Sequence, residues 1–149
     1  MFKIQLIGAS TVLSGIAKKS LNFKNFTNIF TEVTNDFRKT NASMFASQGS
    51  TDGRSKWAPL SSSYAAWKAK NYPGKGLLVM TGSLKSSLTT SGGYAVQQQT
   101  NTTLSLGTAD PKASFHQFGS GNVPARPILS LSTAQKQRWI KIAVKHLFK

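Results

Sequence analysis

The chain has 149 residues, of which 39% are hydrophobic and 10% aromatic, enough for one domain with an ordinary core. It carries 19 Lys and Arg against 4 Asp and Glu, a formal net charge of +15 at pH 7, although only 15% of its residues are charged. The excess comes from missing acids, and the absence of cysteine excludes disulfides, thiol catalysis and thiolate metal sites.

A field of this sign favours acidic partners, whether nucleic acid, anionic membrane or an acidic protein surface. The bases are scattered from Lys3 to Lys149. Pairs occur at Lys18-Lys19 and Arg38-Lys39, but no run of five, so the usual nuclear or heparin-type cluster is missing.

In chain order, Phe2, Ile4 and Leu6 alternate with Lys3, Gln5 and Ile7 before Gly8, which predicts a short first strand. In the opening segment MFKIQLIGASTVLSGIAKKS the lysine pair follows the apolar residues, the wrong order for a secretory signal. No window approaches the ~20 apolar residues of a membrane span. A soluble protein made in a reducing cytoplasm is expected. Ser10 or Thr11 is placed to cap a helix carrying Val12, Leu13, Ile16, Ala17 and Leu21. A second helix is marked by Phe23, Phe26, Phe30, Val33 and Phe37 at spacings of three and four, extended by Met44 and Phe45. That stripe reads as a core face.

Gln48-Gly49-Ser50 and Asp52-Gly53 mark a loop. Ser61 to Lys70 predicts a short helix with Tyr64 and Trp67 on one side, and Tyr72-Pro73-Gly74-Lys75-Gly76 breaks it. Thr81 to Leu88 reads as a helical turn with Leu84 and Leu88 four apart. Tyr94 and Val96, then Leu104 and Leu106, alternate with smaller or polar residues around Asn101-Thr102, which predicts a β-hairpin. Asp110-Pro111 is a turn, and Ser114 to Phe118 a short strand or loop. Pro124-Ala125-Arg126-Pro127 cannot be helical throughout. Thr133 to Lys149 predicts an amphipathic basic helix. Trp139, Ile140, Ala143, Val144, Leu147 and Phe148 form its apolar arc, and Arg138, Lys141, Lys145 and Lys149 the opposite one. The expected architecture is a single α+β domain over residues 1–149: an N-terminal strand and helices, a central antiparallel hairpin or sheet, and the C-terminal helix.

The inventory is poor in catalytic chemistry. The acids are Glu32, Asp36, Asp52 and Asp110, and the histidines His116 and His146. Glu32 and Asp36 are four apart, and with Arg38 and Lys39 adjacent they read as ordinary helix surface. Pro73-Gly74-Lys75-Gly76 lacks the spacing of a phosphate-binding loop, and no GxSxG elbow occurs. No catalytic, cofactor or metal site is predicted. Zinc-finger, RNA-recognition and KH signatures are missing too, although the net charge permits non-specific DNA contact.

Short blocks with internal order remain: Asp52-Gly53 with Trp57-Ala58-Pro59-Leu60; Leu77-Leu78-Val79-Met80-Thr81-Gly82-Ser83-Leu84; the hairpin ending Leu106-Gly107; His116-Gln117-Phe118-Gly119; and Pro124-Ala125-Arg126-Pro127-Ile128-Leu129-Ser130-Leu131-Ser132. In this order they resemble the phage virion morphogenesis family, the tail completion proteins related to protein G of phage Mu. Ile128 stands where that family usually has Phe, and Ser130 where it has Gly. The resemblance covers Asp52 to Ser132 well and the terminal helix loosely.

The resemblance implies a small α+β neck protein acting late in assembly. It would form a homo-oligomeric, sixfold ring between the tail tube or tail terminator and the head–tail connector, without chemistry or cofactor. Candidate interface residues are Trp57, His116, Gln117, Phe118, Arg126 and Pro127. For Trp57 and Phe118 a place in the domain core is favoured slightly over the interface. Arg126 either presents its guanidinium to an anion or braces its own loop. Arg138, Lys141, Lys145 and Lys149 are candidate contacts to phosphate or an acidic partner, with genomic DNA in the lumen one such partner and a membrane not expected. A tail terminator, a head-side connector and a non-specific nucleic-acid-binding domain are the competing readings.

Overall fold

The computed structural model describes residues 1–7 and 26–147; the helix expected from Ser10 to Leu21, Phe23, Phe148 and Lys149 lie outside them. The aromatic stripe folds as anticipated. Helix α1 (Thr27–Ala46) turns Ile29, Phe30, Val33, Phe37, Met44 and Phe45 inward. Phe26, at its N-cap, is buried as well and stacks on Phe30 at 5.9 Å. At about 1.5 Å per residue this helix runs about 30 Å, long enough to form one wall of the core.

Among the described residues, one long helix and two short ones separate strand β1 (Phe2–Ile7) from the hairpin it joins. Helices α2 (Ser62–Asn71) and α3 (Ser83–Thr89) come between, followed by β2 (Ala95–Gln99) and β3 (Thr103–Thr108). The three strands form an antiparallel sheet ordered β1-β3-β2. Ile4 pairs with Leu106 and Leu6 with Leu104 on one side, and Val96 pairs with Gly107 on the other. As the central strand, β3 is covered on both faces: Leu104, Ser105, Leu106 and Thr108 are all buried. Tyr94 lies just outside β2, but its carbonyl accepts the Ala109 amide at 2.8 Å, adding one rung to the ladder.

Helix α3 plugs the space between α1 and the sheet. Leu84 and Leu88, four apart, are both buried, and Leu88 is 0% exposed. Ser87 between them donates to Leu84 O and shares a 2.7 Å bond with Thr108 Oγ1, so the one polar group on that face is satisfied.

Ser114 to Phe118, expected as strand or loop, is helical: α4 spans Ala113–Phe118. The reason is Asp110. Its carboxylate accepts the Lys112 amide at 2.9 Å and its carbonyl accepts the Ala113 amide at 3.0 Å, while Pro111 supplies a φ suited to a first turn. A six-residue helix shows no full apolar period, so sequence alone did not reveal it.

Helix α5 (Thr133–Leu147) starts on Ser132, whose hydroxyl accepts the Gln135 amide at 3.0 Å, a side-chain N-cap. It packs antiparallel to α1 through Gln135, Trp139, Ile142, Ala143 and Leu147. The inward arc is therefore rotated from the expected one. Ile140 and Val144 are 45% and 40% exposed, whereas Arg138 points toward α1. The cause lies on α1: Asp36 accepts from both Arg138 Nε and Trp139 Nε1 at 2.8 Å. Glu32 likewise takes Lys145 at 3.0 Å and His146 at 2.7 Å. The two acids assigned to plain helix surface thus form the seam between α1 and α5.

Candidate docking site

Three of the sequence blocks bind one another. Trp57 is buried against Phe45 in an edge-on contact, ring centres 5.3 Å apart. Its indole N–H donates to Pro127 O at 2.9 Å. Arg126 runs the other way: its Nε and Nη2 donate to Ala58 O at 2.7 Å and Pro59 O at 2.8 Å. Gln117 then clamps the far end. Its carbonyl oxygen accepts the amides of Ile128 and Leu129, both at 2.9 Å, and its Nε2 donates to Leu129 O at 3.0 Å. The Arg126 amide donates to His116 O. A proline-flanked strip cannot join a sheet along its length, so these side chains supply the partners its backbone needs.

Two glycines make the approach possible. Gly49 has φ +101°, and a Cβ there would lie 2.8 Å from Trp57 N; Gly119 has φ +77°, and a Cβ would lie 2.8 Å from Val123 O. Any side chain would push these backbones apart.

The block 77–84, from Leu78 onward, lines a shallow open cleft of about 90 Å³ shared with Leu60, Tyr64, Lys68, Lys112 and His116. Leu78 holds φ +59° there, an uncommon conformation for a bulky residue and one that recurs at functional sites. Lys68 is 5% exposed and donates to Gly76 O at 2.6 Å. Burial, and then the nearby Arg126, lowers its pKa. His116 is likewise held toward its neutral form, mainly by burial and then by Arg126. Its buried Nδ1 has no hydrogen-bond partner among the described residues.

The expected site residues therefore separate. Trp57, Gln117 and Arg126 hold the loops together; His116 lines the cleft; Phe118, 69% exposed, and Pro127 face solvent. Of the helix α5 bases, Arg138 and Lys145 are held by acids of this chain, and Lys141 is exposed. Sequence reasoning missed Lys68, because a lysine on a short helix defaults to solvent. It also missed the stacked, exposed pair beside it, Tyr64 and Trp67 (5.4 Å), as a surface feature. Burial of Lys68 leaves no trace in spacing; only its four-residue interval from Tyr64 places the two on one helix side.

Among the described residues there is no group of three or more His, Asp or Glu that could hold a metal, and no helix long and apolar enough to cross a membrane. The chain matches the phage virion morphogenesis family over residues 5–148. No curated protein and no solved structure matches it.

Proposed function

This chain belongs to the phage virion morphogenesis family, and we propose that it is a tail completion protein. In this reading it forms a ring in the neck that joins the finished tail to the filled head, and it works without catalysis. The family assigns it to virion assembly; the neck position is our reading.

The observation that carries it is the mutual binding of the motif blocks. Trp57, Gln117 and Arg126 direct their polar atoms at backbone groups of this chain, so the motif side chains serve rigidity. A rigid loop surface suits a component that must fit neighbours without large ordering cost. Next to the clamp, Phe115 and Phe118 on α4 are exposed, as are Tyr64 and Trp67 on α2. Aromatics of this kind dominate interface energetics, and a closed ring needs two different complementary patches on each copy.

The decisive experiment is deletion of the gene followed by electron microscopy of lysates. Separate full heads and finished tails are expected. Normally joined virions would overturn the reading, and defective tails of irregular length would favour the tail terminator instead.

A second reading, contact with genomic DNA through the excess bases, is favoured by one observation: the four acids are all engaged within the chain, leaving most bases with no local counter-charge. Affinity for duplex DNA should then fall steeply with salt. No binding at low salt would remove this reading.

A further inference from the structure

Among the described residues, two buried cations lack an acidic partner. Lys68 is 5% exposed and Arg126 4%. Their hydrogen bonds go to carbonyls, of Gly76 in one case and of Ala58 and Pro59 in the other. Neither takes part in an ion pair among the described residues. Lysine and arginine are almost never buried unpaired, since a desolvated charge without a counter-charge is costly. Burial lowers the pKa of both groups accordingly. The cleft on which Lys68 opens adds the Lys112 ammonium and the His116 ring.

The counter-charge cannot come freely from a second copy. All four acidic side chains of the sequence are held in their own fold: Glu32 by Lys145 and His146, Asp36 by Arg138 and Trp139, Asp52 by Arg138 and Arg54, and Asp110 by Ser83 and the Lys112 amide. Leu60, Leu78, Val79, Met80 and Leu84 give the cleft wall an apolar part, while Thr81 and Ser83 line its polar edge, where Ser83 already donates to Asp110 at 2.8 Å. The phosphate backbone of duplex DNA, whose bases are stacked inside, brings no large apolar group to such a wall. An acidic residue flanked by apolar ones does.

We infer that the cleft between α2 and residues 77–84 is a docking site for an acidic, apolar-flanked segment of a different protein, whose carboxylate meets Lys68 and Lys112 while its apolar neighbours cover Leu60, Leu78 and Met80. Such a docking site does not require the chain to sit in the neck.

Hexanoate, a carboxylate with a short apolar tail, is the probe. The full chain is melted in hexanoate, acetate, inorganic phosphate or chloride at matched ionic strength, and His116 is followed by NMR. Hexanoate is expected to shift the His116 ring resonances saturably, acetate to shift them less, and phosphate not at all. Tm is compared between the full chain and its variants in the same salt, because phosphate raises Tm by exclusion from the protein surface alone. Bound carboxylate should also draw the His116 pKa upward. Lys68→Met is expected to weaken apparent hexanoate affinity at least about tenfold. Should that variant fail to fold, Lys112→Glu, at an exposed position, places a carboxylate at the cleft and should abolish the response. No hexanoate shift, a shift retained in either variant, or an equal shift by phosphate would each overturn the assignment. Virions play no part in the measurement, so its failure would leave the neck reading untouched.

Discussion

Asp52 and Arg138 form a two-point fork across 86 residues of sequence, with Nη2 to Oδ2 at 2.7 Å and Nη1 to Oδ1 at 3.1 Å. Asp52 reaches it from a loop position with φ +54°, one that Asp tolerates better than most residues. Arg138 carries Asp36 and Thr40 on its other edges. One guanidinium thereby joins α1, the loop after it and α5.

Replacing Arg138 by Met should therefore destabilise the fold by roughly 1–3 kcal/mol. Its side chain is 38% exposed, which keeps the loss below that of a fully buried pair. Arg138→Lys should restore only part, because an ammonium cannot make the fork. Urea midpoints with an unchanged slope would measure this.

The same fork sets an acid limit. The Arg138 hydrogen bond holds the Asp52 carboxyl below the usual range. In the folded state Asp52 thus binds fewer protons than in the unfolded chain, whose value is about 3.9. Its contribution is full above that value and disappears as pH falls through the folded pKa. The urea midpoint should drop below about pH 4, and Asp52→Asn should flatten that drop while lowering stability at neutral pH.

His116 should produce a second, separate step. Burial depresses its pKa, so the unfolded ring, near 6.5, takes up a proton before the folded one. Stability present above about pH 6.5 is then partly lost as pH falls toward the folded pKa. NMR titration should place His116 below the ordinary value, and His116→Gln should remove the step.

Gln117→Leu tests the clamp. It keeps the volume but leaves the amides of Ile128 and Leu129 without their acceptor. A loss of about 2–6 kcal/mol is expected, at roughly 1–3 kcal/mol for each of the two unsatisfied groups. Hydrogen exchange of those two amides should accelerate well beyond that of β3.

Trp57 and Phe118 should separate folding from assembly. Trp57→Ala opens a cavity beside Phe45 and should cost about 3–5 kcal/mol. Phe118, 69% exposed, should cost less than about 1 kcal/mol on truncation, yet reduce the yield of joined particles in a complementation assay. Equal stability losses would contradict the division of roles.

Much of this molecule is determined by local sequence. The stripe from Phe26 to Phe45 specifies α1 because burying one face every 3.6 residues leaves few alternatives. The alternation through Val96, Leu104 and Leu106 specifies the hairpin in the same way. The order of the blocks from Asp52 to Ser132 was enough to identify the family, since motif order is a property of the chain itself. Tertiary structure decided what those blocks do. Trp57 and Arg126 bind carbonyls 67 to 70 residues away, and Gln117 clamps a strip 11 and 12 residues on; no spacing rule encodes such partners. It also decided the rotation of α5, where Glu32 and Asp36 draw Arg138, Trp139, Lys145 and His146 toward α1 and leave Ile140 and Val144 outside. Charge pairing of this kind depends on which helices meet. So does the burial of Lys68, a residue that pattern reading sends to solvent and that the fold places on the wall of the cleft.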